Sequence, residues 1–459
     1  MTVSNWNGSA CCAPAEIVAP RDVGELVDVV TNTYLYPSPL RAVGELHSLN
    51  ECFTTTGTVV LMHHFDEIGD PVGGTVTVGA GVRMIDLMRK LRQTPWRVQL
   101  EVVPEIGNAT AGSVACCGTK DSSLGPNGLG QISSTVVGVK MIDPRGQLVS
   151  VTQAANPQRL REVRSSYGLF GVVYAVTFAL QSLKKVAYQY VSLKLDPLPP
   201  FGSVLGDADG LLGFLLPYRR EIIVERRRVV ADNASIGWTD RLGLRLRTKA
   251  WQTGARVGVF NIPLTGLPAL VSSRLVRWWI GVTDLSLRKF FLWIVGKYTT
   301  YRVDAMIDFD RSRASYFDFT FWAFPVSRWG TVIPAYLEFC ADFQRRTGFR
   351  PALPTEVYFI RRDDHALLSF SPNEDIFTLD MVNSIPRTPE DEAYWRSMNR
   401  EYNDFAAGHG ARPLLNQTKE LSRAVVHRSL GADWQTFAAT RLQVDKDGRF
   451  LNGFFKSLL

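Results

Sequence analysis

The sequence predicts an α+β protein in which a region of alternating strands and helices precedes a second domain of longer elements. From Ala15 to about Leu183, strand-like apolar runs alternate with helical stretches and with turns that carry glycine. A proline-rich segment, residues 196–200, interrupts the chain soon afterwards, and aromatic-rich strands and long helices follow it. Because proline breaks regular elements, the domain boundary is predicted just after Ser182.

The elements of the first region follow from the spacing of its apolar residues. Residues 15–30 predict a short connecting segment and then a helix whose acidic residues face water. Apolar residues at spacings of three and four predict a second helix, and they are Met84, Leu87, Met88 and Leu91. Strands are predicted at 40–43, 59–62 and 75–81. Such alternation favours an α/β arrangement of this region.

The region after the boundary contains no internal repeat and no low-complexity segment. Its apolar and aromatic runs predict strands at 186–195, 314–324 and 355–360. Helices are predicted at 333–345 and 390–407. These elements predict an α+β second domain.

The composition is that of a globular chain with a diffuse positive charge. The chain has 459 residues, of which 46% are hydrophobic, and this is enough for two or three domains. Lys and Arg number 51 against 44 Asp and Glu, so the net charge is +7, and the basic residues are scattered. This balance favours an anionic cofactor or a membrane surface. Without a basic block, no nucleic-acid partner is predicted.

The six cysteines predict neither a metal site nor a disulfide framework. Cys11 and Cys12 are adjacent in sequence, as are Cys116 and Cys117, and adjacent cysteines suit neither structure. The N-terminus lacks a basic segment followed by an apolar run, so no secretory leader is predicted. We therefore expect reduced thiols in a cytoplasmic protein.

An aromatic-rich stretch, residues 257–295, most resembles a membrane element. Charged residues interrupt it at Arg274, Arg277, Asp284, Arg288 and Lys289. No uncharged run of about 20 residues remains to span a bilayer. The stretch therefore predicts an amphipathic helix pair, either buried or in peripheral contact with a membrane surface.

Two glycine-bearing loops are candidates for holding a cofactor. No G-x-G-x-x-G follows a strand, which disfavours a Rossmann site. In the first loop, a predicted strand runs into the turn 44–48, where consecutive backbone N–H groups can cradle a pyrophosphate, with His47 at the end. The second loop, residues 104–120, is built almost entirely of small residues, which let the backbone approach a flat ring. Together these loops can sandwich one dinucleotide.

Several ordered blocks of the chain resemble the sugar-alcohol (alditol) and aldonolactone oxidases. The blocks are residues 2–8, 41–50, 76–83, 110–119, 139–149 and 166–173, with fragments at 355–371, 411–419 and 445–455. That family belongs to the vanillyl-alcohol-oxidase superfamily. The resemblance implies a two-lobed PCMH-type FAD-binding domain at 1–184 and a substrate, or cap, domain at 185–410. It also implies a C-terminal segment, 411–459, that returns to the first domain.

The resemblance also implies which residues hold FAD. The family links the flavin covalently to the histidine of a G-x-G-H-S turn, which falls on His47, although Leu46 replaces the second glycine. The residues implied at the pyrophosphate are Val43, Gly44, Glu45, Leu46, His47 and Ser48. Those implied elsewhere along the cofactor are Ala109, Gly112, Ser113, Val114, Ala115 and Thr119, with Val173 near the adenine. Lys120 and Asp121 replace a His-Gly pair, and their contact stays open.

For the reacting end, the resemblance implies Glu356, with Tyr358 in place of an arginine that the family has two residues later. Strand side chains alternate, so both face the same way. Lys419 is the candidate for the catalytic lysine, and Asn416 or Gln417 are alternatives in the same space. Lys419 would orient the substrate hydroxyl or stabilise the reduced flavin.

The predicted function is the oxidation of an alcohol group, in a sugar alcohol, an aldonolactone or a related compound. The reaction is a hydride transfer to N5 of FAD, whose electrons then pass to O2 or to another acceptor. Loss of the family's arginine favours, as an alternative, a larger hydrophobic or lipid-linked alcohol. An alternative of another class is a membrane-surface or partner-binding protein in which FAD is structural.

Overall fold

The computed structural model describes residues 1–121, 124, 129–257, 284–308, 317–384 and 388–459. Its α-helices are Val23–Thr31, Met84–Arg92, Ala111–Cys116, Pro157–Val163, Phe201–Leu205, Trp238–Val257, Trp329–Thr347, Pro389–Gly408, Arg423–Val444 and Gly453–Leu458. The helix Arg423–Val444 is kinked at Gly431. The segment Phe290–Val295 is a π-helix. Short 3-10 helices lie at Glu51–Phe53, Ile132–Thr135, Pro217–Arg219, Arg302–Ala305 and Val326–Arg328.

The first domain contains two sheets of different type. The first has three parallel strands, in the spatial order Glu16–Val18, Thr58–Leu61 and Leu40–Val43. The second has four antiparallel strands, in the order Thr75–Gly79, Val172–Ala179, Val136–Ile142 and Leu148–Thr152. One buried apolar cluster contains residues of both sheets, among them Leu40, Val60, Val78 and Val176. Two lobes therefore share one core.

The second domain is built on a sheet of eight antiparallel strands. Their spatial order is Lys297–Tyr301, Lys185–Lys194, Glu221–Val230, Gly210–Leu216, Thr355–Ile360, Ile376–Thr378, Trp322–Pro325 and Arg412–Pro413. The strands Phe317–Thr320 and Met381–Ser384 form a separate pair. Further two-residue pairs join Val3–Ser4 to Cys11–Cys12 and Val98–Gln99 to Gln181–Ser182. The predicted α+β class is confirmed.

The two faces of the strand Thr355–Ile360 pack into different apolar clusters. Val357 and Phe359 belong to the apolar cluster that the helices Trp329–Thr347 and Pro389–Gly408 cover. Tyr358 and Ile360 belong to a cluster on the opposite face. Because the side chains alternate, Glu356 shares the face of Tyr358. The strand thus separates a structural core from the side on which the cavity described below lies.

The C-terminal segment packs against the first domain. The backbone N–H of Leu40 donates to the carbonyl of Arg449 at 2.7 Å. The Arg449 guanidinium donates in turn to the carbonyls of Val29 and Val30, at 2.7 and 2.8 Å. These buried bonds hold the end of the chain beside the strand that precedes the turn 44–48.

Two predicted regions reach residues outside the described part of the chain. Of the aromatic-rich stretch 257–295, residues 258–283 lie outside it, and residues 284–295 are helical. The predicted strand 314–324 is described only from residue 317, and there it forms two strands, Phe317–Thr320 and Trp322–Pro325, in different sheets. Among the described helices, none combines the length and apolarity that a bilayer crossing needs.

Candidate flavin site

A deep cavity lies between the two domains and encloses about 1610 Å³, its open mouth included. Its wall contains all but two of the predicted cofactor-binding residues. Those that line it are Val43, Gly44, Glu45, Leu46, His47, Ser48, Ala109, Gly112, Ser113, Thr119 and Val173. Glu356 and Tyr358 line it from the second domain. The structure therefore brings residues far apart in sequence to one elongated space.

The two glycine-bearing loops touch at Gly44. A Cβ atom at this position would lie 2.1 Å from Thr110 Oγ1 and 2.9 Å from Ser113 Oγ. These two hydroxyls lie 3.0 Å apart, within hydrogen-bonding distance. A larger side chain fits here only if the Thr110 and Ser113 side chains move, since real Cβ contacts are longer. The close approach of the two loops therefore favours glycine at position 44.

The turn that carries His47 has a left-handed backbone at Leu46, with φ of 54°. This conformation favours glycine, the residue that the resembling family has at this place. The Leu46 carbonyl accepts a hydrogen bond from the backbone N–H of Trp6 at 3.1 Å, and the Trp6 ring centroid lies 5.8 Å from that of His47. The turn therefore keeps its shape although the glycine is absent, and the N-terminal segment supports it.

Arg41 supplies a buried positive charge at the cavity wall, a feature that the sequence reasoning did not assign. Its guanidinium donates to the backbone carbonyls of Tyr167, at 2.6 Å, and Phe450, at 3.2 Å. Burial lowers the pKa of this guanidinium, and no carboxylate within the described residues forms an ion pair with it. An anion in the cavity would offset that cost.

Two residues that line the cavity carry buried amide oxygens that can still accept hydrogen bonds. Asn416 Oδ1 and Gln417 Oε1 are buried and have no hydrogen-bond partner in the described part of the chain. Buried acceptors of this kind are costly unless a ligand or water satisfies them. Together with the glycine cradle and Arg41, they fit an anionic dinucleotide that also carries hydrogen-bond donors.

The second-domain end of the cavity holds a compact group of ionisable side chains. The Tyr358 hydroxyl donates to Glu356 Oε2 at 3.4 Å, and the Lys120 Nζ lies 4.0 Å from the same oxygen. The Lys120 ammonium also contacts the buried carboxylate of Asp380. Burial raises the pKa of Glu356 and lowers the pKa of Lys120 to about 8. Such opposed shifts at a cavity wall are typical of a reaction site.

Three predicted residues do not reach the cavity wall. Lys419 Nζ donates to Asp318 Oδ2 at 2.6 Å and is absent from the lining residues. Val114 and Ala115 lie in the short helix Ala111–Cys116 and point into the apolar core behind the wall. Lys120, instead of Lys419, lines the cavity beside Glu356. In the sequence, the signal for Lys120 was that Lys120 and Asp121 replace the His-Gly pair of the family.

A buried network of charges clamps the second loop to the second domain. Glu105 accepts from Arg227 at 3.1 Å and from Arg302 at 2.8 Å. Asp121 accepts from Arg227 at 2.9 Å. The three guanidiniums of Arg227, Arg247 and Arg302 hold the pKa of Glu105 well below its usual range. Sequence reasoning missed this network. Its signal was the alternation of Glu225 and Arg227 along a buried strand.

Comparisons with known proteins show an FAD-binding oxidoreductase whose FAD-binding domain is of the PCMH type, and the fold and the cavity agree with them. A family model described as an FAD binding domain matches residues 14–152. The chain is homologous to the aldonolactone oxidases and dehydrogenases, as the ordered blocks predicted. It is 25% identical to L-gulono-1,4-lactone dehydrogenase of Mycobacterium tuberculosis, over 99% of this chain and 98% of the relative. Against mouse L-gulonolactone oxidase the identity is 21%, over 99% and 97%.

Solved structures show the same fold at lower sequence identity. The crystal structure of cholesterol oxidase from B. sterolicum aligns with a TM-score of 0.75 and 15% identity, over 100% of this chain and 96% of that one. A solvent-stable cholesterol oxidase aligns with a TM-score of 0.77, again at 15% identity, over 100% and 97%. This similarity concerns the fold.

Proposed function

We propose that this flavoprotein oxidises an alcohol group of an aldonolactone or a sugar alcohol. The observation that carries the proposal is the position of Glu356 and Tyr358 on one strand face, at the end of the cavity that the two FAD loops line. When bound, FAD accepts a hydride from the substrate carbon at N5 and passes the electrons to O2 or to another acceptor. The relatives' printed names support the lactone class.

The residues at this end have the chemistry that alcohol oxidation requires. As the hydride leaves the carbon, the hydroxyl proton needs an acceptor within reach. Glu356 is that acceptor, because burial raises its pKa and so increases its affinity for a proton. Tyr358 orients the carboxylate by donating to it. Its own pKa lies well above the usual value, so the phenol remains a donor at neutral pH.

The test is anaerobic flavin reduction with a panel of alditols, aldonolactones and hydrophobic alcohols, followed by peroxide detection in air. The wild-type protein should lose its yellow colour with a lactone or an alditol. Glu356→Gln should bind FAD normally and reduce it at least about 10²-fold more slowly, the usual contribution of a general base. Bleaching without peroxide would indicate a dehydrogenase. No bleaching with any substrate would favour the structural-FAD alternative.

A larger hydrophobic alcohol is the second candidate, because large apolar side chains also line the cavity. They are Trp251, Ile106, Ile307 and Phe319. A polyol would leave these surfaces in contact with its hydroxyls, whereas a hydrophobic alcohol would bury them. Faster bleaching by a sterol or prenyl alcohol than by any lactone would decide for this candidate.

We also propose that FAD is bonded covalently through His47. The histidine lines the cavity beside the turn at Leu46. Acid precipitation should leave the yellow colour in the pellet, and His47→Ala should move it to the supernatant. The exposed histidine His63 provides the matched control, since His63→Ala should keep the pellet yellow. A colourless pellet from the wild-type protein would contradict the covalent bond but not FAD binding.

A cytoplasmic location with peripheral membrane contact completes the proposal. The π-helix Phe290–Val295 exposes Trp293 at 78% and Ile294 at 57%, and Lys289 precedes it. An exposed aromatic beside a cation suits the interface of an anionic membrane. The protein should sediment with vesicles of anionic lipid, and Trp293→Ala with Ile294→Ala should remain in solution. Equal sedimentation of both would contradict the contact.

A further inference from the structure

Lys120 is the cationic side chain at the reacting end of the cavity. Its ammonium lies 4.0 Å from Glu356 Oε2 and 4.4 Å from the centroid of the Tyr358 ring. Only 10% of the side chain is exposed, so little water screens its charge. It follows Thr119 on the loop of small residues, and both line the cavity. The cation is thus fixed between the cofactor loop and the strand that carries Glu356.

Asp380 holds Lys120 in this place. Its carboxylate is fully buried and contacts the Lys120 ammonium. Its backbone is tied to Glu356 in both directions, with Glu356 N–H donating at 3.0 Å and Asp380 N–H donating at 2.9 Å. A buried carboxylate without a cation is strongly unfavourable. The backbone pairing of Asp380 with Glu356 therefore helps to set the distance from Lys120 to Glu356.

The other candidate lysine, Lys419, forms its ion pair with a residue that does not line the cavity. Lys419 Nζ donates to Asp318 Oδ2, which also accepts from the indole N–H of Trp395 at 3.0 Å. Asp318 Oδ1 accepts from Asn7 at 3.3 Å. Asp318 thus bonds to three separate parts of the chain. They are Lys419 of the C-terminal segment, Trp395 of the helix Pro389–Gly408 and Asn7 near the N-terminus. Lys419 serves this structural junction and does not line the cavity.

We propose that Lys120 is the cation that stabilises negative charge during substrate oxidation, and that Asp380 is the residue that positions it. This inference rests on the proposed function. The C–H electron pair would leave as hydride to the flavin, the C–O bond would become a carbonyl, and the hydroxyl proton would go to Glu356. Lys120 would keep its proton throughout, and its positive charge would stabilise the negative charge that the reduced cofactor gains.

The pKa of Lys120 reflects the same surroundings. Burial lowers its pKa to about 8, and the charge of Glu356 opposes that shift. Removing the neighbouring carboxylate of Asp380 should lower the pKa further, because an anion beside an ammonium favours its charged form. A purely structural lysine would show no link between Asp380 and the electronic properties of the bound flavin.

The experiment compares Lys120→Met, Lys120→Arg and Asp380→Asn with Lys140→Met as the control, each reconstituted with FAD. Lys140 is exposed on the strand Val136–Ile142 and does not line the cavity. Two quantities are measured, the rate of flavin reduction and the reduction potential of the bound flavin. Lys120→Met should lose at least about 10²-fold in rate, as for the loss of one charge-stabilising donor. Its potential should become more negative. Lys120→Arg should recover part of both losses, while Lys140→Met should change neither the potential nor the rate.

A third measurement avoids turnover altogether. The lysines of the flavin-loaded protein are methylated with 13C-formaldehyde, and the Lys120 resonance, identified by its loss in Lys120→Arg, is titrated by NMR. It should titrate well below ordinary lysines, and further below them in Asp380→Asn. An unchanged potential in Lys120→Met would overturn the catalytic role, and an unchanged Lys120 titration in Asp380→Asn would overturn the positioning role. If no alcohol reduces the wild-type flavin but the potential still shifts, only the proposed substrate chemistry fails.

Discussion

The carboxylate of Glu356 and the ammonium of Lys120 face each other across 4.0 Å at the end of the cavity, although they are far apart in the chain. Burial raises the pKa of the first and lowers that of the second. Each shift favours the neutral form, so the pair is held charged mainly by mutual attraction. The charge of Lys120 is therefore sensitive to pH near 8.

The rate of flavin reduction should have a bell-shaped pH profile. Glu356 must be deprotonated to accept the hydroxyl proton, so the rate should rise as the pH passes its raised pKa. Lys120 must be protonated, so the rate should fall above about pH 8. Stopped-flow reduction at a series of pH values tests this. Lys120→Arg should lose the alkaline limb, because guanidinium keeps its proton. A limb that persists in this variant would assign it to another group.

Gly44→Ala should weaken FAD binding and destabilise the protein. The added Cβ would lie 2.1 Å from Thr110 Oγ1, so the Thr110 and Ser113 side chains must move and their mutual hydrogen bond is disturbed. Overpacking of this kind costs about 1–3 kcal/mol. Flavin content after purification and urea unfolding measure the two effects. Gly453→Ala is the control, because a Cβ there meets nothing within 4 Å. Equal flavin content in both variants would contradict the requirement for close approach.

Leu46→Ile should destabilise the protein more than Leu46→Gly. At φ of 54° a β-branched side chain is strongly disfavoured, while glycine adopts this backbone without strain. Leu46→Gly should stay within about 1 kcal/mol of wild type, because relief of strain offsets the entropy that glycine loses on folding. The free energy of unfolding in urea is the measurement. A smaller loss for isoleucine would mean that the turn relaxes to another backbone conformation.

Arg227→Met should cost about 3–5 kcal/mol of stability, because it leaves Glu105 and Asp121 short of a buried partner. Arg228→Met, one residue later, removes only an exposed pair with Asp207 and should cost less than about 0.5 kcal/mol. Urea unfolding of the two variants gives the contrast directly. Similar losses would show that the buried network is energetically neutral relative to an apolar core.

Much of the cofactor side could be predicted from the sequence because its signals are local. A turn such as 44–48 is built from consecutive residues, and a run of small residues such as 104–120 marks a backbone that something approaches closely. Period-two alternation likewise placed Glu356 and Tyr358 on one face, and the structure confirms that they share it. The α+β class followed from the same periodicities.

Only the tertiary structure decided which lysine reaches the cavity. Lys419 stands near the expected place in the chain, but its partner Asp318 is a residue about a hundred positions away. Lys120 gained its position from Asp380, which comes from the other domain. The buried arginine network has the same origin, since Glu105 meets Arg227 and Arg302 only after the domains pack. Periodicity reports the face on which a side chain lies, whereas the partner of a buried charge depends on long-range packing.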